Sequence, residues 1–326
     1  MGGMMLADCL EPRPLGSSGM EVSALSLGSW RTYERLPAAT GIEIMRAARD
    51  QGITFFDDAR YNDETGRAPI PTGHSEVVFG TIFRAAGIRR HEVIIANKLW
   101  WEFWPRQNAV AELNESLERM GLDYIDLIYA GPPAEGMSAA ELIAEVGALI
   151  SAGTARAWGV LNWSADLLSE AAAVAKDAGV QAPCAAQLPY SMVRRSPVED
   201  EAMTRALAQA GAGVVASFSL EGGILSGKYL GGPRSGRAAD VLDQPRFAPA
   251  VAAAPALTAF ASRVAATPAA VALAFPLSSQ AVASVLFGAT SAQQVLANCA
   301  AVGLLRQLSP QELAELRLIG AGAAAD

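Results

Sequence analysis

The strongest constraint on this chain is an alternation that repeats along it. Short apolar or β-branched runs occur at Val22–Gly28, Thr54–Asp57, Glu92–Lys98, Asp126–Ala130, Ala157–Leu161, Cys184–Leu188, Gly213–Phe218 and Ala283–Phe287. Helical patterns lie between them at Ala39–Gln51, Asn108–Met120, Ala139–Ala152, Ala165–Ala178 and Glu199–Ala210, and another begins near Ser291. Glycine stands just past the first five, at Gly52, Gly121, Gly153, Gly179 and Gly211, where a helix stops in the left-handed conformation. Apolar runs separated by helices predict parallel strands covered on the outside by helices. Eight such units, with no Gly/Ser linker dividing them, predict one closed (β/α)8 TIM barrel, α/β in class.

Composition removes several functions. Hydrophobic residues are 51% and charged residues 18%, which excludes a disordered chain. The net charge of −8 argues against a nucleic-acid groove or an anionic membrane face. Cys9, Cys184 and Cys299 are far apart and odd in number, so they make neither a disulfide framework nor a zinc cluster. The first residues lack a basic region followed by an apolar core, and Val251–Leu277 is broken by Pro255, Arg263, Pro268 and Pro276. These features lead to the expectation of a cytoplasmic protein that binds neither nucleic acid nor membrane.

In a barrel of this kind chemistry sits at the carboxyl ends of the strands. The second run ends in Asp57, with Tyr61 four residues on, and the third ends in Lys98. A carboxylate that orients an ammonium, and an ammonium that lowers a phenol pKa, would make Tyr61 a proton donor. The same residues also fit a structural Asp–Lys ion pair beside a core tyrosine, and spacing does not choose. Trp100, Trp101, Phe103 and Trp104 follow Lys98, and Trp30 follows the first run. They fit either a flat apolar substrate or a loop packed on its own aromatics. Arg60 and Arg67 fit an anion contact or a solvated surface. Gly222–Lys228 has P-loop spacing, but Tyr229 stands where a Ser or Thr must meet Mg²⁺.

The sequence resembles the aldo-keto reductases. Pro14-Leu15-Gly16, Gly19–Ser23 and Leu27–Trp30 resemble that family's amino-terminal β-hairpin and first strand. Gly52–Ala59 through Tyr61 resembles its Asp…Tyr motif, and Gly73-His74-Ser75-Glu76 with Gly80 the segment after it. Leu117 with Leu122–Leu127, Gly159–Ser164, and Gln187 with Tyr190-Ser191 resemble the motifs of the central strands. Gly223–Tyr229 and Gly288-Ala289-Thr290 through Gln294 and Asn298 resemble the cofactor loops. The likeness runs from about residue 13 to 303, in family order. It implies a short hairpin before the barrel, with residues 1–12 a flexible extension, 13–318 the barrel and 319–326 a loose tail.

The resemblance also implies NADPH as cofactor and carbonyl reduction by hydride transfer. Asp57 would orient Lys98, Lys98 would tune Tyr61, and Tyr61 would donate the proton. Asn162 and Gln187 would hold the nicotinamide carboxamide. Lys228 would meet the phosphates, and Thr290, Gln294 and Asn298 the adenosine and its 2′-phosphate, which Arg234 or Arg237 would help to neutralise. The expected pocket is Trp30, Trp100, Trp101 and Gly131, taking a small apolar or aromatic substrate; self-association stays open. Two departures stand out. Asp57 and Tyr61 are one residue closer than usual, which leaves Asp58 as an alternative acid. Gly131 occupies the place of the family's active-site histidine, and the chain has only His74 and His91. His91 precedes the third run, whereas His74 lies nearer the expected site. A reductase is therefore the first reading, and an NADP(H)-binding sensor or regulatory subunit with little turnover is the alternative.

Overall fold

The computed structural model describes residues 12–230 and 242–322. Arg234, Arg237, Cys9 and most of the expected amino-terminal extension lie outside the described residues. A hairpin of β1 (Pro12–Pro14) and β2 (Glu21–Ser23) precedes the barrel, with Arg13 opposite Val22. The barrel strands are β3 (Leu25–Gly28), β4 (Phe55–Asp57), β5 (Ile94–Leu99), β6 (Ile125–Ala130), β7 (Ala155–Leu161), β8 (Ala185–Pro189), β9 (Gly213–Ser217) and β10 (Val282–Phe287). All pair in parallel in sequence order, and β10 closes onto β3. The alternation thus reports eight real strands. The first run divides at Ala24, its front half serving the hairpin and its back half the barrel.

Two apolar layers follow from the two faces of each strand. Inward residues Phe55, Ala96, Leu127, Tyr129, Ala157, Ala185, Val215 and Ala283 fill the barrel. Leu15, Met20 and Val22 of the hairpin join this inner cluster and plug its amino-terminal end. Gly16 seats that plug: its φ is +51°, and a Cβ there would lie 2.1 Å from the Cys184 carbonyl oxygen. Outward residues such as Phe56, Ile95, Ile128 and Trp158 pack under the helices.

The helices start and stop for local reasons. Ser138 caps Ala139–Ala152 with a reciprocal bond to Glu141, and Gly153 ends that helix at φ +73°. Pro268 opens Pro268–Leu277 at a position whose N–H has no intrahelical partner. Helix Pro310–Gly322 continues through Ile319 to Gly322, which the sequence reading had placed in the loose tail. The cause is packing: Gly320 lies so close to Met192 that a Cβ would sit 1.9 Å from its carbonyl oxygen. No single helix among the described residues is long and apolar enough to cross a membrane.

Candidate active site

Strand alternation decides which groups meet. Phe55 and Ala96 point inward, so Asp57 and Lys98, two residues further on, point inward at the carboxyl end. Gln187 follows Ala185 in the same way. The Lys98 ammonium has three donors, and all are used. It donates to Asp57 Oδ1 at 2.6 Å, to the Asp58 carbonyl oxygen at 3.2 Å and to the Tyr61 hydroxyl oxygen at 3.3 Å. The other Asp57 oxygen accepts from Gln187 Nε2 at 2.9 Å. An ammonium can only donate, so it meets the Tyr61 oxygen as an acceptor and leaves the phenolic hydrogen free to point elsewhere.

Asp57 and Asp58 therefore separate cleanly. Asp57 makes the ion pair. Asp58 points out of the barrel, accepts a short bond from the Ser29 hydroxyl, and leaves Oδ2 buried without a partner. Burial and the nearby Glu76 carboxylate push its pKa well above the ordinary carboxylate range. Asp58 is thus a buried carboxyl behind the site rather than an alternative to Asp57.

The expectation that Lys98 lowers the Tyr61 pKa is corrected here. Burial, and next the Asp57 and Asp58 carboxyl groups, raise it well above 10. Burial is the largest cause, and the Asp57 carboxylate, which sits against the Lys98 ammonium, is the next. Tyr61 is therefore held protonated, the form needed to give a proton away.

The loop after Lys98 is clamped. Glu112 is buried and accepts from the Trp100 and Trp101 amides at 2.8 and 3.3 Å, while Arg60 approaches it at 3.4 Å. Arg60 also pairs with Glu102 at 2.8 Å, so it is neither a solvated cation nor a free anion contact. Trp101 is corrected from pocket to wall: it is only 2% exposed, and its indole donates to the Gly131 carbonyl oxygen at 3.3 Å. Trp100 lies 6.4 Å, ring to ring, from Tyr61. Its Cε3 is 3.7 Å from where a Gly131 Cβ would stand, and the Leu99 carbonyl oxygen is 2.8 Å from that point. Position 131 thus admits no side chain without a shift of backbone, and the Trp100 ring borders the space before it.

A small cavity of about 20 Å³, room for about one water, opens beside Tyr61, lined by Trp30, Arg31, Glu34, Asn62 and His74 among others. The structure therefore brings Trp30 and His74 to Tyr61, whereas Trp100, Trp101 and Gly131 do not line this cavity. His91 lies in the turn Arg90–Glu92 before β5, at the other end of the barrel. Sequence reasoning missed Phe218, just past β9. It is 40% exposed, has φ +54°, and stacks at a tilt 5.4 Å from Trp30 across the mouth. Its only signal was an aromatic residue closing an apolar run.

The residues present fit a dinucleotide. Asn162, at φ +56°, is exposed past β7, and its backbone amide donates to the Gln187 main-chain carbonyl oxygen at 3.0 Å, which sets the two residues side by side. Glu221, Gly222 and Gly223 are consecutively left-handed, and the Lys228 side chain lies across Gly223, where a Cβ would be 2.9 Å from its Nζ. Lys228 has no carboxylate partner among the described residues and rests over the Tyr229 ring. Thr290 bonds Gln294 just ahead of the helix Ala292–Gln307, and Asn298 is buried one turn further on. A cation, a left-handed turn of backbone amides and a helix start are each of a kind that suits an anion.

A parallel eight-stranded barrel with an Asp–Lys–Tyr set at the carboxyl ends of its strands defines a (β/α)8 protein. Residues 24–320 match the sequence model of the aldo/keto reductase family, and the chain belongs to that family. It is 28% identical over 325 residues to a rice protein (Oryza sativa subsp. japonica) described as a probable voltage-gated potassium channel subunit beta. That match covers 95% of this chain and 96% of the relative. Family membership supports oxidoreductase chemistry with a nicotinamide dinucleotide in general terms.

Proposed function

We propose that the protein is an NADPH-dependent reductase of a small carbonyl compound, or of a related C=X bond, with Tyr61 as proton donor. The observation that carries this reading is the three-way bond of Lys98 to Asp57, Asp58 and Tyr61. When bound, NADPH would supply the hydride. Asn162 and Gln187 would hold its carboxamide, Lys228 its phosphates, and Thr290, Gln294 and Asn298 its adenosine end.

The chain's own residues do the rest. Tyr61, neutral at pH 7, donates its free hydrogen to the substrate oxygen as negative charge develops there. The phenolate that results is stabilised by Lys98, whose ammonium already touches that oxygen. Asp57 keeps Lys98 aimed, and Gln187 keeps Asp57 aimed. No side chain at Gly131 adds a second donor, so the site relies on Tyr61 more heavily than a site with two donors would.

That same glycine, together with the channel-subunit description of the rice relative, favours a second reading: an NADP(H)-binding regulatory subunit with little turnover. Tyr61→Phe separates the two. The reductase reading expects loss of turnover by at least a hundredfold with NADPH affinity within about twofold of wild type. Turnover unchanged by Tyr61→Phe would remove Tyr61 as the donor. A wild type that binds NADPH without oxidising it in the presence of any carbonyl would favour the regulatory reading.

A further inference from the structure

We infer that Glu112 is a positioning residue for the Lys98–Tyr61 pair: one buried carboxylate ties down the chain on both sides of that contact. The inference rests on the reductase reading and adds a residue to its machinery. The contact to be held is the longest of the three that Lys98 makes, 3.3 Å to the Tyr61 hydroxyl oxygen. Lys98 belongs to β5, whereas Tyr61 lies in the loop after β4. Strand pairing fixes Lys98 but ends on β4 at Asp57, four residues short of Tyr61. The phenol therefore depends on contacts beyond the sheet. Arg60, the residue before Tyr61, is buried and donates to Glu112 Oε1 at 3.4 Å. The same oxygen accepts from the amide of Trp100, two residues after Lys98, at 2.8 Å. The second Glu112 oxygen accepts from the Trp101 amide at 3.3 Å.

The rest of the surroundings assign this task to Glu112. The Gly73 amide donates to the Tyr61 carbonyl oxygen at 2.9 Å, and the Tyr61 amide donates to Ser75 Oγ at 3.3 Å. Those anchors tie Tyr61 to the start of the helix His74–Ala86. The Arg60 pairs tie it to the segment that carries Lys98. Of the two carboxylates on Arg60, Glu102 is 45% exposed at the side chain and Glu112 only 4%, so Glu112 is the less screened and the more confined partner. Trp101 has φ +60°, a left-handed conformation that a side chain disfavours and that persists where surrounding contacts impose it. The Glu112 bonds to both tryptophan amides, with the Trp101 indole on the Gly131 carbonyl oxygen, are such contacts. They also hold the Trp100 ring 6.4 Å from that of Tyr61. Glu112 lies in the first turn of the helix Ala109–Met120 and acts through Tyr61 rather than on the reacting atoms. Its loss should therefore lower kcat and leave KM and cofactor affinity nearly unchanged.

The test is Glu112→Gln in the full chain, alone and combined with Tyr61→Phe, assayed with NADPH and propanal or whichever aldehyde, ketone or enone wild type reduces best. Glutamine keeps the shape but offers Arg60 no charge and has one accepting oxygen in place of two. Misplacement of a reacting group by about 1 Å can cost about 10²-fold, so kcat is expected to fall at least tenfold, with KM and NADPH affinity within threefold. In the Tyr61→Phe background the same substitution should change the residual turnover less than twofold, because the group it positions is gone. A general loosening of the fold would lower turnover in both backgrounds. Arg60→Lys should keep more of kcat than Arg60→Met, since it retains a charged donor toward Glu112. Thermal midpoints above the assay temperature and unchanged NADPH affinity establish that the variants are folded; if Glu112→Gln is not, the Arg60 variants in both backgrounds decide. An unchanged kcat, or an equal fall with and without the Tyr61 hydroxyl, overturns the inference and leaves the reductase reading standing, because wild type still reduces its substrate. A wild type that reduces no aldehyde, ketone or enone overturns the reductase reading and this inference with it.

Discussion

Replacing Asp57 by asparagine separates the two jobs assigned to that carboxylate, stabilising buried Lys98 and holding Tyr61 protonated. Both partners of the pair are about 3% exposed at the side chain and 2.6 Å apart. Removing one member of such a buried pair costs about 3–5 kcal/mol, because the other is left charged without a counter-charge. An unfolding entropy of about 2.1 cal/mol/K per residue gives roughly 0.7 kcal/mol/K for a 326-residue chain. The thermal midpoint should therefore fall by about 4–7 °C. The second effect has a definite sign. Asp57 is the largest charge raising the Tyr61 pKa, so its neutralisation lowers that pKa and brings the alkaline loss of reduction to lower pH. Calorimetry at pH 7 and a pH profile of kcat/KM read the two effects on one variant. A midpoint within 1 °C of wild type, or an alkaline limb that moves upward, would refute the reasoning.

Three further outcomes follow from the same geometry. Reduction should be insensitive to Tyr61 ionisation through the neutral range and fall only in strong alkali, whereas alcohol oxidation, which needs the phenolate, should rise with pH; paired profiles of the two directions check this. Asp58→Asn should gain stability relative to wild type as pH rises above about 4: a carboxyl whose folded pKa is raised favours folding below its unfolded value and loses that contribution up to the folded value, so urea unfolding at several pH values should show a widening gap. Gly131→Ala should destabilise by about 1–3 kcal/mol, since its Cβ would lie 2.8 Å from the Leu99 carbonyl oxygen; a neutral effect would mean that β5 and β6 yield there.

Much of this architecture was legible because most of the strands obey a simple rule, an apolar run followed by a helix that stops at or just before glycine. Helix His74–Ala86 is less legible: Gly73 and Gly87 bound it, but the Gly- and Pro-rich stretch before it hides where the periodic pattern begins. Ala248–Arg263 carries Pro255 internally, which breaks the pattern but not the helix. At the site, residue types pointed to Asp57, Lys98 and Tyr61, yet the choice between Asp57 and Asp58 needed the pleat of β4. The direction of the Tyr61 pKa was illegible because it depends on burial and on how closely Asp57 approaches Lys98. Glu112 was missed since a glutamate in the first turn of a helix usually faces water, whereas here it is buried beneath the Trp100–Trp101 loop.

The most direct test of the central claim is a fluorescence titration of the protein with NADPH and with NADH, followed in the same cuvette by aldehydes, ketones and enones. The account predicts tight binding of NADPH and its oxidation when a small carbonyl substrate is added. Binding of neither nucleotide would contradict the assignment of Lys228, Asn162, Gln187 and the Thr290–Asn298 segment to a dinucleotide, and with it the proposed reaction.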